Sequence, residues 1–129
     1  MSHMRKEHVS KTSSLYLYII VPIISLLGCR GTSCDNLPPF TSYDQATDVI
    51  QSSRWEVEES QSTTKSSWIK RISYYSCDGS SGFLLVELKS GDDYLYTGVP
   101  LSVWNEFKEA DSYGSYYSRN IKGRYILRI

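Results

Sequence analysis

Histidine is scarce in this chain of 129 residues, and its two copies, His3 and His8, both lie close to the start. If that segment is removed, the mature protein loses the commonest general base and the commonest metal ligand. Serines are abundant, but no histidine remains to activate them. A glycine-rich phosphate-binding loop is also missing. We therefore predict a protein that is not an enzyme, with no catalytic residue, no cofactor and no metal site.

Long apolar runs are missing as well. The longest, residues 15–27, is shorter than the roughly 20 residues that a membrane-spanning helix needs. It follows the basic residues Arg5, Lys6 and Lys11, and this order is typical of a secretory signal peptide. We predict that residues 1–28 are such a peptide, with a short buried helix or an uncleaved signal anchor as alternatives.

The apolar run ends in Leu26-Leu27-Gly28-Cys29, which resembles the bacterial lipobox. The resemblance implies cleavage before Cys29 and attachment of diacylglycerol to its sulfur. The partner would then be the membrane, reached through the lipidated Cys29. Residue Arg30 stands where an aspartate would favour the inner membrane. The predicted location is the bacterial cell envelope, with the outer membrane or periplasmic side favoured in a Gram-negative host.

Only two cysteines, Cys34 and Cys77, remain after Cys29. Export would bring them into an oxidising compartment, where a disulfide can persist. An even pair fits one bridge, so we predict a disulfide, with two unpaired thiols as the alternative. Two cysteines without a histidine do not make a structural zinc site, which takes four ligands.

Charge is unevenly distributed along the chain. Residues 30–111 hold seven Lys and Arg against thirteen Asp and Glu, whereas residues 112–129 hold four basic residues and no acid. The adjacent Asp92 and Asp93 lie in a polar turn and should point apart into solvent. This geometry argues against a carboxylate pair of the glycosidase type.

Hydrophobic periodicity indicates an α+β fold. After a tether over residues 29–41, a capping box at Ser42 and Gln45 predicts a helix over about 42–52, and a strand follows, giving a helix–strand extension over 42–65. Over 66–129, strands separated by short polar turns predict an antiparallel meander. Pro100 marks the start of a further helix. We predict three to five strands with two or three helices packed on one face.

An ordered series of motifs in residues 66–129 resembles the KTSC domain family. The residues that carry the resemblance are Ser66-Ser67-Trp68-Ile69, Ile72, Tyr74, Gly91, Tyr94-Leu95-Tyr96, Gly98-Val99-Pro100, Trp104, Ala110-Asp111-Ser112, Gly114, Tyr116-Tyr117 and Ile121-Lys122-Gly123-Arg124-Tyr125. The family is named after a C-terminal appendage of some lysyl-tRNA synthetases, and RNA binding is the activity suggested for it. This chain differs in carrying a helix–strand extension and an export signal.

Tyrosines and basic residues are interleaved in the C-terminal segment. Because this pattern is typical of single-strand nucleic-acid binding, the candidate ligand-binding residues are Tyr113, Tyr116, Tyr117, Arg119, Lys122 and Arg124. The competing interpretation is a solvated basic helix end with tyrosines in the core. For Tyr94 and Tyr96 we favour core packing over a stacking platform. We expect these two, with Gly98, Pro100 and Gly114, to be structural.

Taken together, the sequence predicts a membrane-anchored bacterial lipoprotein that acts as a non-catalytic binding or interaction module. Its partner would be an anionic envelope ligand or another protein. Nucleic acid is disfavoured because export separates the chain from cellular RNA. The alternative is a cytoplasmic RNA-binding domain, in which residues 1–28 are not an export signal.

Overall fold

A computed structural model describes the chain from residue 31 onward; the predicted signal peptide and Cys29 lie outside the described residues. After a 3₁₀ turn at Cys34–Asn36, the elements are α1 (Tyr43–Ser52), β1 (Val57–Ser62), β2 (Ile69–Ser76), β3 (Ser81–Leu88), β4 (Asp93–Pro100), α2 (Leu101–Glu109) and α3 (Tyr113–Asn120). Between residues 31 and 129, no helix combines the length and the apolarity that crossing a membrane requires.

The four strands form one antiparallel sheet in the order β1-β2-β3-β4. Each strand pairs with its neighbour in the chain, as Ile72 does with Val86 and Leu85 with Leu95. Short connections between sequential strands make this topology a meander. The sheet and the three helices confirm the predicted α+β fold.

Helix α1 begins at the predicted capping box. The Gln45 amide donates to Ser42 Oγ at 3.1 Å, and Gln45 Oε1 accepts from the Thr41 amide at 3.1 Å. The second bond reaches one residue further back than in the standard motif, but it likewise satisfies a backbone N–H before the helix. The observed helix, Tyr43–Ser52, agrees with the predicted span.

The two faces of the sheet carry different helices. On the front face, α2 and α3 bury Trp104, Phe107 and Tyr117 against the strands. On the back face, α1 packs Ile50 against a second cluster that includes Leu95. Alternation of side chains along the strands supplies both faces. Two helices therefore share one face, as predicted, and α1 adds a smaller core on the opposite face.

Strand β4 passes directly into α2. Pro100 has φ −61° and ψ 146° and occupies the N-cap position of the helix, which starts at Leu101. We predicted Pro100 as the first residue of the helix, whereas it lies one position before that residue. At either position its missing N–H costs the helix nothing. Gly98, with φ +66°, adopts the left-handed conformation that glycine tolerates best, so both residues shape this connection.

Glu59 ties the edge strand β1 to helix α2. Its Oε2 accepts from Trp104 Nε1 at 2.6 Å and from Lys108 Nζ at 2.9 Å. The Lys108 hydrogen bond, followed by that of Trp104, lowers the pKa of the Glu59 carboxyl below its usual value. The pair with Lys108 is one of two ion pairs found between residues 31 and 129.

The last residues do not form a full strand. A single bridge joins Ile126 to Tyr96 on the edge of β4. Tyr125 has φ 54°, a left-handed conformation that interrupts an extended strand. Leu127 then turns into the back core, where its carbonyl oxygen accepts from the Tyr43 hydroxyl at 2.7 Å.

Candidate functional site

Cys34 and Cys77 form a disulfide, with their Cα atoms 5.7 Å apart. The bond joins the segment before α1 to the loop between β2 and β3. Asp35 Oδ1 lies 3.1 Å from the Cys77 sulfur. These three residues are the only metal-ligand cluster found within residues 31–129. Because the sulfurs are bonded to each other, they offer no thiolate to a metal.

Two of the predicted ligand-binding tyrosines lie in the front core. Tyr113 and Tyr117 are only 3% and 6% exposed. The Tyr113 hydroxyl donates to the carbonyl oxygen of Lys108 at 3.0 Å, whereas the Tyr117 hydroxyl pairs with that of Tyr96. Rings buried in this way have no free face, so the prediction that Tyr113 and Tyr117 stack on a ligand needs correction.

Tyr116 is half-buried and is also held within the domain. Its ring stacks on Phe107 with the centroids 5.3 Å apart, and its hydroxyl donates to Glu106 Oε2 at 2.8 Å. Burial, and then the hydrogen bond to the Glu106 carboxylate, raise the pKa of Tyr116 well above its usual value. This tyrosine therefore fixes α3 to α2.

The three predicted basic residues, Arg119, Lys122 and Arg124, are exposed. None of them takes part in the two ion pairs found in the described part of the chain. Arg119 lies in the last turn of α3, where a cation is favoured by the helix dipole. A solvated basic helix end is thus sufficient to explain Arg119, while Lys122 and Arg124 lie beyond the helix.

The two tyrosines of the Tyr-x-Tyr motif have different surroundings. Tyr96 is 8% exposed and packs in the front core, as expected for a structural residue. Tyr94, two residues earlier on the edge strand, is 45% exposed. Its ring is available to solvent at the free edge of β4, so the core packing predicted for Tyr94 is wrong.

A cleft of about 470 Å³ opens beside this edge on the front face. We call it the front cleft; it is lined by Trp68, Leu88, Tyr94, Tyr96, Tyr117, Ser118 and Lys122. Its volume falls within the range of about 300–1,000 Å³ that is common for small-molecule sites. It brings together Tyr117 and Lys122, which were predicted to bind a ligand, with Tyr94 and Tyr96, which were predicted to be structural. The lining does not include Tyr113, Tyr116, Arg119 or Arg124.

Residues 65–125 match the KTSC domain. This part of the chain is a KTSC domain. A crystal structure of a KTSC domain protein from Yersinia pestis is similar, with 29% sequence identity over 56% of this chain and 96% of the Yersinia chain, and a TM-score of 0.47. Among curated proteins, no match to the chain was found. The KTSC domain thus begins in the loop before β2 and ends at Tyr125.

Gly114 allows a close contact within the KTSC domain. A Cβ atom at this position would lie 2.8 Å from Trp68 Nε1, closer than real Cβ atoms approach their neighbours. The missing side chain lets α3 pack directly on the Trp68 indole. That indole meets the Tyr117 ring edge-to-face at 5.3 Å, which sets the wall of the front cleft.

Three residues of the front cleft were not predicted as site residues: Trp68, Leu88 and Ser118. Trp68 is one of the residues that carry the resemblance to the KTSC family, and this could have marked it as a candidate. Ser118 lies between Tyr117 and Arg119 in α3 and carries no distinguishing pattern. The cleft is assembled from the loop before β2, the end of β3, the first half of β4, helix α3 and the turn that follows it. These segments span residues 68 to 122, so no single local pattern marks the cleft.

Proposed function

We propose that the protein is a bacterial lipoprotein of the cell envelope, anchored through Cys29, whose KTSC domain acts as a non-catalytic binding module. The observation that carries the proposal is the bond between Cys34 and Cys77. Disulfides persist in secreted and periplasmic proteins and are rare in the reducing cytosol. The Cys34–Cys77 disulfide and the signal-peptide pattern of residues 1–28 both support export from the cytosol.

Lipidation of Cys29 supplies the anchor in this proposal. Each buried CH₂ group contributes about 0.8 kcal/mol to membrane binding, so one acyl chain binds reversibly and several on a single cysteine hold stably. Such an anchor needs no spanning helix.

The front cleft supports binding rather than catalysis. Its seven lining residues include no carboxylate and no histidine that could act as a general base. What it offers is an exposed tyrosine ring, hydroxyl groups and one lysine. This combination suits an anionic ligand, in agreement with the partner class predicted from the sequence.

The exposed Arg119, Lys122 and Arg124 favour the alternative of an RNA-binding domain, and a binding measurement separates the two. We expect purified full-length protein to carry no nuclease-sensitive RNA. We also expect it not to bind a labelled single-stranded RNA at physiological salt, because three cations replace few counterions. Detergent, but not high salt, should release the protein from bacterial membranes.

A variant with Arg119, Lys122 and Arg124 all replaced by serine is the matched control. Tight RNA binding that weakens steeply with salt and disappears in this variant would support the alternative. Recovery of the full-length chain in the cytoplasmic fraction would contradict the envelope proposal.

A further inference from the structure

The hydroxyl groups of Tyr96 and Tyr117 form a buried pair at the wall of the front cleft. The two side chains are 8% and 6% exposed, and their hydroxyls are hydrogen-bonded to each other. No other hydrogen bond of either hydroxyl occurs within residues 31–129. Each phenol carries one proton to donate. One of the two protons therefore forms the hydrogen bond between the hydroxyls, and the other remains available to a further acceptor.

This second proton needs an acceptor that the described part of the domain does not supply. Burial, together with the partner hydroxyl, raises the pKa of Tyr96 far above its usual value, so the group stays a donor at neutral pH. A nearly buried O–H without an acceptor is unfavourable, and native structures almost always satisfy such groups. Because both tyrosines line the front cleft, the acceptor is expected there.

The other groups of the front cleft indicate which class of ligand would carry this acceptor. Lys122 brings a positive charge and is not used in either ion pair of residues 31–129. Ser118 adds a hydroxyl that can donate or accept. Tyr94 presents a ring that is 45% exposed, against which a flat or ring-shaped ligand can lie. No acidic side chain lines the cleft to oppose an anion.

We infer that the front cleft binds a sugar ring that carries an anionic group, either a carboxylate or a phosphate. Lys122 pairs with the anion, the free proton of the Tyr96–Tyr117 pair donates to an oxygen of the ligand, and the Tyr94 ring packs against the sugar. This inference rests on the proposed binding function, but it does not depend on the lipid anchor.

Three hexoses that differ only at the sixth carbon test the inference: glucuronate, glucose 6-phosphate and glucose. Binding to the full-length protein in detergent is followed by NMR titration or calorimetry, with acetate and inorganic phosphate as ring-free controls. We expect at least one anionic hexose to bind about 10-fold tighter than glucose, the factor that one hydrogen bond to a charged group provides. Comparison of the two anionic hexoses distinguishes carboxylate from phosphate.

Variants with matched controls locate the site. Lys122→Met should reduce the affinity for the anionic hexose to that for glucose. Arg124 is an exposed cation outside the cleft, so Arg124→Met should leave the affinity unchanged. Each single variant, Tyr96→Phe or Tyr117→Phe, keeps one hydroxyl proton. The double variant keeps none and should bind about 10-fold more weakly. Tyr113→Phe, which removes a buried hydroxyl outside the cleft, is its control.

Thermal unfolding of each variant checks that the domain remains folded under the titration conditions. The inference would be overturned if glucose bound as tightly as the anionic hexoses, if the ring-free anions matched them, or if none of the hexoses bound. It would also fail if binding persisted in both Lys122→Met and the double phenylalanine variant. Those outcomes concern the cleft alone, because membrane attachment and RNA binding are measured separately.

Discussion

Replacing Trp104 with alanine is expected to lower the free energy of unfolding by about 3–5 kcal/mol, the range for removing a large aromatic side chain from a core. The indole is fully buried on the front face and stacks on Tyr74, with the ring centroids 5.5 Å apart. Its N–H also donates to Glu59, so the variant loses packing and one of the two hydrogen bonds that link α2 to the edge strand. Urea unfolding followed by circular dichroism measures the change.

Asn105→Ala is the control for this substitution, because Asn105 is the exposed neighbour of Trp104 on the same helix. Surface changes of this kind usually stay within about 0.5 kcal/mol. A loss below about 1 kcal/mol for Trp104→Ala would mean that the front core is not organised around this residue.

Loss of the disulfide should have the second large effect. Replacing Cys34 and Cys77 together by serine is expected to lower the free energy of unfolding by about 2–5 kcal/mol, as for native disulfides of small secreted domains. The bond closes a sequence separation of 43 residues, and its loss frees the unfolded chain. Denaturant unfolding with and without a reducing agent measures the effect, and reduced wild-type protein should resemble the double variant.

Cys29→Ser serves as the control, since it removes a cysteine without touching the Cys34–Cys77 pair. Its unfolding should match that of the oxidised wild type. If oxidised and reduced wild-type protein unfolded at the same denaturant concentration, the disulfide would not stabilise the domain, and the support that it gives to export would weaken.

Local patterns predicted the elements of this fold well. Ser42 and Gln45 mark the start of α1 because their side chains bond to backbone groups only a few residues away. The polar turns between the strands predicted the meander because turn residues, too, act on backbone groups only a few positions away. By contrast, apolar residues also alternate after Gly123, yet only one bridge forms there. The left-handed Tyr125 turns the chain, and residue alternation carries no information on that conformation.

The candidate site was harder to predict because tyrosine is both apolar and polar. Tyr113, Tyr116 and Tyr117 share one face of α3, and such spacing fits a stacking surface and a buried face equally well. The depth of α3 on the sheet decides between them, and this depth depends on the contact of Gly114 with Trp68, which are distant in sequence. Likewise, alternation places Tyr94 and Tyr96 on one face, but only the packed structure shows that one is exposed and the other buried.

The central claim, that the protein is an envelope lipoprotein, is tested most directly at Cys29. Bacteria that produce the full-length chain or the Cys29→Ser variant are grown with a fatty-acid analogue, and the purified proteins are assayed for the label. We expect labelled, membrane-bound wild-type protein and an unlabelled variant. Equal absence of label from both proteins would contradict it.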